Sequence, residues 1–144
     1  MANIKILLAE DDSNLGFVIK DNLGDRGYDI THCLNGLDAE HATYKDKYDL
    51  YLLDVMMPKL NGFEVCRKLK SDKATSKIMI LMVTALSELG DIERAVEAGT
   101  DDFLSKPVNS LELQKRVANM LKLKGTEDEL ERLRAYIREM EETK

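Results

Sequence analysis

Three carboxylates, Glu10, Asp11 and Asp54, stand where two apolar runs stop, Ile4–Ala9 and Leu50–Leu53. Both runs have the length and bulk of buried strands. A buried strand that ends on a carboxylate presents it at the strand's carboxyl end, the edge where open α/β sheets bind ligands. If the two ends lie side by side, the three acids share one small pocket, and they cannot all stay ionised there without a cation. A hard divalent ion with oxygen ligands is the natural partner, and Mg²⁺ is the usual one. Thr84 closes another apolar run, and Lys106 follows a fifth, just before Pro107. They would add a hydroxyl and an ammonium, with Lys106 free to pair with Asp54 or with an anion placed on it. Each residue alone is a weak signal, because strand-ending Asp and Thr are often structural and a Lys before Pro is often solvated. Together, at successive strand ends, they describe a site for anion chemistry.

The elements that must position these groups follow from the pattern. Strand-like runs cover residues 5–9, 28–33, 50–54, 78–84 and 102–104, and amphipathic stretches cover 13–25, 37–45, 61–70, 87–98 and 110–123. Ser13 is a candidate N-cap, Gly27 and Gly99 are stop signals, and Asn109 or Ser110 opens the last stretch. Alternation of this kind predicts an α/β fold with a parallel sheet and helices on both faces. The order 2-1-3-4-5 suits five strands and makes strands 1 and 3 neighbours at the switch point, as the shared pocket requires.

The chain has 144 residues, enough for one domain and a short appendage. Its net charge of −6 argues against direct binding of nucleic acid, whose phosphates attract basic patches. No stretch approaches the ~18 apolar residues of a membrane span, and the first residues lack a signal-peptide pattern. Cys33 and Cys66 have no metal-ligand spacing, and Cys66 falls on an apolar helical stripe, where a small buried hydrophobe is expected. His32 and His41 are isolated and read as surface or strand-edge residues. The whole indicates a reduced, cytoplasmic setting.

After Leu123 the composition changes. Lys124-Gly125-Thr126 interrupts the pattern, which divides the chain into a domain over 1–124 and a charged amphipathic helix over 125–144. Leu130, Leu133, Ile137 and Met140 are spaced as a heptad seam, and Leu123 lies in phase with them. Alone, so short a helix is marginal in water. It reads as a coiled-coil linker to a missing output domain, as a dimerisation helix, or as a solvated extension; the seam favours the first two. A parallel two-stranded contact is expected.

From about residue 3 to 123 the sequence resembles the receiver domain of two-component response regulators, the CheY-like fold. The segments that carry the likeness are Ile6–Asp12, Leu52–Gly62, Val83–Ala85 and Ala98–Pro107. The resemblance implies that Asp54 accepts a phosphoryl group from a sensor histidine kinase or phosphotransfer protein in a Mg²⁺-dependent reaction. Asp11 would be a direct metal ligand, Glu10 would act mostly through water, and the Met56 backbone carbonyl would complete the protein's share. Lys106 and Thr84 would bind phosphoryl oxygens, Phe103 would be the aromatic that turns inward when Thr84 moves, and the Lys106–Pro107 bond would be cis. Asp12 would serve as a helix-terminus charge. The surface made by the fourth helix, fifth strand and fifth helix would change on activation. In the family, the residues two beyond the acceptor and two beyond the Thr tune hydrolysis. Met56 and Leu86 cannot orient water, so a phosphoryl lifetime of many minutes or longer is expected. Such a chain is not an enzyme beyond its own phosphorylation and slow reset.

Other readings fit less well. Aspartyl-phosphate phosphatases want an acid two residues after the nucleophile, where Met56 stands. A flavin protein of the same strand order needs a phosphate loop after strand 1, where Glu10-Asp11-Asp12 would repel phosphate. A receiver that no longer takes phosphate and acts only as an interaction or dimerisation module is the remaining alternative.

Overall fold

A computed structural model describes residues 3–57, 59–84 and 89–142; the side chains of residues 84, 89–92, 95, 124–129, 131–132 and 142 are outside that description. Five strands, β1 (Lys5–Ala9), β2 (Asp29–Cys33), β3 (Leu50–Asp54), β4 (Met79–Thr84) and β5 (Asp102–Ser105), form one parallel sheet in the order β2-β1-β3-β4-β5. Helices α1 (Ser13–Gly24), α2 (Gly36–Lys45), α3 (Gly62–Ser71), α4 (Leu89–Ala98) and α5 (Ser110–Glu142) connect and follow them. The expected fold class, strand order and element identities are all present.

The alternation of strand side chains explains the two cores. Leu7, Tyr51, Leu53, Ile80 and Met82 point to one face, where Ala39 of α2 and Phe63, Val65, Cys66 and Leu69 of α3 cover them. Ile6, Leu8, Leu50, Leu52, Leu81 and Val83 point to the other, under Ile19 and Leu23 of α1 and Leu113, Val117 and Met120 of α5. Burial on both faces is why these strands read as unbroken apolar runs. At ~1.5–3 kcal/mol for each large side chain taken out of water, the two cores fix the sheet, and the sheet fixes its carboxyl edge.

Two expectations are corrected. The N-cap of α1 is Asp12, not Ser13: Asp12 has extended backbone, and its carboxylate accepts from the amides of Asn14 and Leu15 at 3.0 and 3.3 Å. Ser13 is the first helical residue. The second correction concerns the end of the fifth helix, expected near Leu123: α5 runs without interruption through Gly125 to Glu142, 33 residues in all, and includes the expected C-terminal helical extension. A glycine inside a helix costs only about 1 kcal/mol relative to Ala, too little to stop it. The expected opening of α5 at Asn109 is present, and α3, expected to begin at Asn61, is capped by it and begins at Gly62. Asn61 forms a reciprocal capping box with Glu64, and Asn109 accepts from the Glu112 amide at 3.1 Å.

Candidate functional site

The register brings the strand ends together. Ala9 pairs with Leu53 across β1 and β3, Asp54 with Val83 across β3 and β4, and Thr84 with Ser105 across β4 and β5. Glu10, Asp54, Thr84 and Lys106 therefore leave the sheet along one edge. Glu10 is pinned from both sides: its amide donates to Cys33 at 3.0 Å, and its carbonyl oxygen lies 2.8 Å from His32 Nε2. Gly16 makes room for that imidazole, since a Cβ there would collide with the His32 ring. His32 is thus a half-buried brace beneath the site rather than a free surface group. His41 is exposed.

The loop from β3 to α3 folds back over Asp54. The Gly62 amide donates to Val55 at 3.1 Å, and a Cβ on Gly62 would run into the Asp54 carbonyl, so only glycine permits this approach. Lys59, with φ of 69°, takes the left-handed conformation that lets the loop reverse. Pro58 lies outside the described residues. The fold-back sets the Met56 amide 3.3 Å from Asp54 Oδ1 and leaves the Met56 side chain exposed.

Ligand oxygens of Glu10, Asp11 and Asp54 all lie within 4.8 Å of one another. Glu10 and Asp54 are only 1% and 3% exposed, while Asp11 faces solvent. Lys106 Nζ reaches Asp54 Oδ2 at 3.1 Å and Glu10 Oε1 at 3.3 Å. One ammonium thus faces two of the three clustered carboxylates. Burial, and then the adjacent Asp54, push the Glu10 carboxyl up to about 7 against the pull of Lys106. Partial burial works to lower the Lys106 ammonium, but bonding and attraction from Asp54 and Glu10 outweigh it and raise it. A site short of positive charge, open to water on the Asp11 side and built of oxygen donors, has the chemistry of a hard divalent cation site.

The cis bond expected at Lys106–Pro107 is present. Phe103 is half-buried against the core face that holds Phe63 and Met82. Thr84 ends β4 where expected, but its side chain, like all of Leu86, lies outside the described residues. Asp12 is occupied as a cap and donates its amide to Glu10 Oε1 at 3.3 Å. Both cysteines are buried; Cys66 bonds Ala98 through its thiol at 3.3 Å.

One nearby residue has no signal in the sequence. Arg94 of α4 sets its guanidinium carbon 4.5 Å from the Phe63 ring centroid. Together with Asp11, Val55, Met56, Met57 and Asn61 they line a groove of about 530 Å³. Residues 63 and 94 meet only because α3 and α4 pack side by side, which no local pattern reveals.

Comparison with known proteins agrees with this geometry. The family described as response regulator receiver domain matches residues 6–118. The DNA-binding dual master transcriptional regulator RpaA of Synechocystis is 35% identical over 118 residues, 82% of this chain and 49% of RpaA. Response regulator PleD of Caulobacter vibrioides is 40% identical over 113 residues, 78% of this chain and 25% of PleD. The chain therefore spans about half the length of the first relative and a quarter of the second. Among solved structures, the receiver domain of sensor histidine kinase PA1611 from Pseudomonas aeruginosa, described with a magnesium ion coordinated in its active-site cleft, superimposes with a TM-score of 0.78 at 30% identity, covering 84% of this chain and 99% of that one.

Proposed function

The chain belongs to the response regulator receiver domain family, and on that premise we propose that it is a phosphorylation-activated switch whose acceptor is Asp54. The observation that carries the reading is the convergence of Glu10, Asp11, Asp54 and Lys106 at one strand edge. Mg²⁺ fits the donor set: Asp11, Asp54 and the Met56 carbonyl would hold it, with Glu10 acting through water, and it would neutralise phosphoryl and carboxylate charge.

The residues then divide the work. A carboxylate oxygen of Asp54 attacks phosphorus, and the P–N bond of a partner's phosphohistidine breaks. Phosphoryl transfer asks mainly for positioning and charge neutralisation. Lys106 exchanges its bond to Asp54 for a bond to a phosphoryl oxygen and keeps its charge throughout, since both acids hold its proton in place. Thr84 is the proposed second donor and Phe103 the aromatic that follows it. A phosphoryl group adds charge of about −1.5 to −2 and three acceptor oxygens. That draws the β4–α4 loop inward and reshapes the surface of α4, β5 and α5. Met56, exposed and apolar, holds no water against the acyl phosphate, so the phosphorylated state is long-lived, and reset is slow.

The partners proposed are a sensor histidine kinase or phosphotransfer protein, in the cytoplasm, and an output domain beyond the tail. Leu130, Leu133, Ile137 and Met140 are each about half exposed on one continuous helix. At heptad spacing this stripe fits a second copy in a parallel coiled coil, with residues 1–124 as the receiver and 125–144 as the linking and dimerising segment.

The test is incorporation of label from a small phosphodonor with Mg²⁺. The account expects one labelled site, absent in Asp54→Asn and absent when the metal is chelated. Equal labelling of Asp54→Asn would refute the acceptor. No labelling of the unaltered chain would favour a receiver that acts only as a binding module.

A further inference from the structure

The His32 ring, half-buried at the end of β2, meets the segment that carries the acidic pair at two points. Its Nε2 lies 2.8 Å from the Glu10 carbonyl oxygen, and since a carbonyl only accepts, the imidazole is the donor. The second point is Gly16, buried early in α1, where a Cβ would overlap the ring. Glycine inside a helix weakens it relative to Ala, and here the room it leaves is filled by the imidazole. The Glu10 carbonyl belongs to the peptide that joins Glu10 to Asp11. Cys33 accepts from the Glu10 amide at 3.0 Å, so β2 holds the peptides on both sides of the Glu10 Cα. The three carboxylates differ in what else holds them. Glu10 accepts from the Asp12 amide and Lys106, and Asp54 from the Met56 amide and Lys106. Among the described residues, no hydrogen bond or ion pair fixes the exposed Asp11 carboxylate. Its place is set by its backbone, and the peptide that leads into it is the one His32 holds.

We propose that His32 is a positioning residue for the cation: by holding the Glu10–Asp11 peptide, it keeps the Asp11 carboxylate turned toward Glu10 and Asp54. The inference rests on the reading of these three acids as a Mg²⁺ site, and it adds a residue that touches neither the ion nor the phosphoryl group. Partners behind a metal ligand act by orienting it. Here the orientation passes through the backbone, because the ligand's own side chain is exposed and otherwise unheld. A peptide fixed before the ion arrives leaves less ordering to be done on binding, so the affinity is higher. The requirement is for a donor at this reach. A carboxamide in place of the imidazole meets it, and an apolar side chain of similar bulk does not. Gly16 belongs to the same device, since any side chain there displaces the ring from the carbonyl.

The experiment measures Mg²⁺ binding to the full chain through its displacement of Mn²⁺, with free Mn²⁺ followed by electron paramagnetic resonance. It compares the unaltered chain with His32→Leu, His32→Gln and Gly16→Ala. His32→Leu, similar in bulk but without a donor, is expected to raise the Mg²⁺ dissociation constant about tenfold, the lower end of what such supporting partners contribute. His32→Gln, whose amide nitrogen reaches the same carbonyl, recovers most of the affinity. Gly16→Ala, a better helix former that pushes the ring aside, weakens binding in the same direction as His32→Leu. Urea midpoints taken without metal separate positioning from folding. A residue that served the fold alone would move the midpoint and leave the dissociation constant of the folded chain unchanged. Unchanged affinity in His32→Leu, or an equal loss in His32→Gln, overturns the proposal while the cation site stands. Absence of Mg²⁺-displaceable Mn²⁺ on the unaltered chain removes the cation site itself, and this inference with it.

Discussion

Leu113, Val117 and Met120 lie in the first part of α5 and are at most 3% exposed, whereas Leu130, Leu133 and Ile137, farther along the same helix, keep 47–54% of their surface in contact with solvent. The backbone does not distinguish the two parts. The first is clamped onto β4 by its apolar face and tied to β5 by a bidentate ion pair, in which Arg116 reaches both Asp102 oxygens at 2.8 and 2.9 Å. The second extends past the sheet, and its described apolar residues stay about half exposed. Helices of this kind gain most of their stability from tertiary packing of one face. The difference shows where information can pass. Under the proposed switch, a change at Asp54 would reach β5 and the root of α5, and the outer half would carry it onward once a partner makes it rigid.

Substitutions in the two halves should separate by energy. Leu113→Ala is expected to lower unfolding stability by about 2–5 kcal/mol, while Ile137→Ala in dilute monomer changes it by less than about 0.5 kcal/mol, both read from urea denaturation. Similar losses at the two positions would break the contrast.

Thiol chemistry sharpens the same contrast between packed and exposed regions. Burial pushes the Cys66 thiol up to about 11. Native Cys66 should therefore react with an alkylating reagent at pH 8 about a hundredfold more slowly than a cysteine placed in the outer helix by Tyr136→Cys, since the thiolate is the reactive form. The sign is fixed by the raised value. Stability linked to keeping this thiol protonated is complete below pH 9 and is lost as pH rises through about 11.

Two smaller effects address the outer half alone. Leu133→Asp should abolish any concentration-dependent rise in mass seen by sedimentation, weakening self-association by at least about tenfold. A mass that is already monomeric at every concentration would remove the coiled-coil proposal. Gly125→Ala should stabilise α5 by about 0.5–1 kcal/mol and tighten self-association a few-fold, visible as added far-UV helicity.

Much of the molecule was readable before any coordinates because its strands are buried on both faces. Ile4–Ala9 and Leu50–Leu53 could only be strands of a covered sheet, and their terminal acids then had to sit at the binding edge. The cap of α1 was not readable, since Asp12 and Ser13 are both good caps and only the backbone decides: Asp12 has φ −77° and ψ 105°. Gly125 misled for an energetic reason, because a glycine weakens a helix without ending it. Arg94 over Phe63 and His32 beneath Glu10 depend on packing between separate elements, and no spacing in the sequence encodes either contact.

The account stands on one metal and phosphoryl site shared by residues of four strand ends. Anomalous diffraction from crystals soaked in Mn²⁺, a spectroscopically heavy stand-in for Mg²⁺, tests it most directly. The expected result is one strong peak between the carboxylates of Asp11 and Asp54, beside the Met56 carbonyl, that vanishes in Asp54→Ala. A peak elsewhere on the chain, or none at saturating metal, would contradict it.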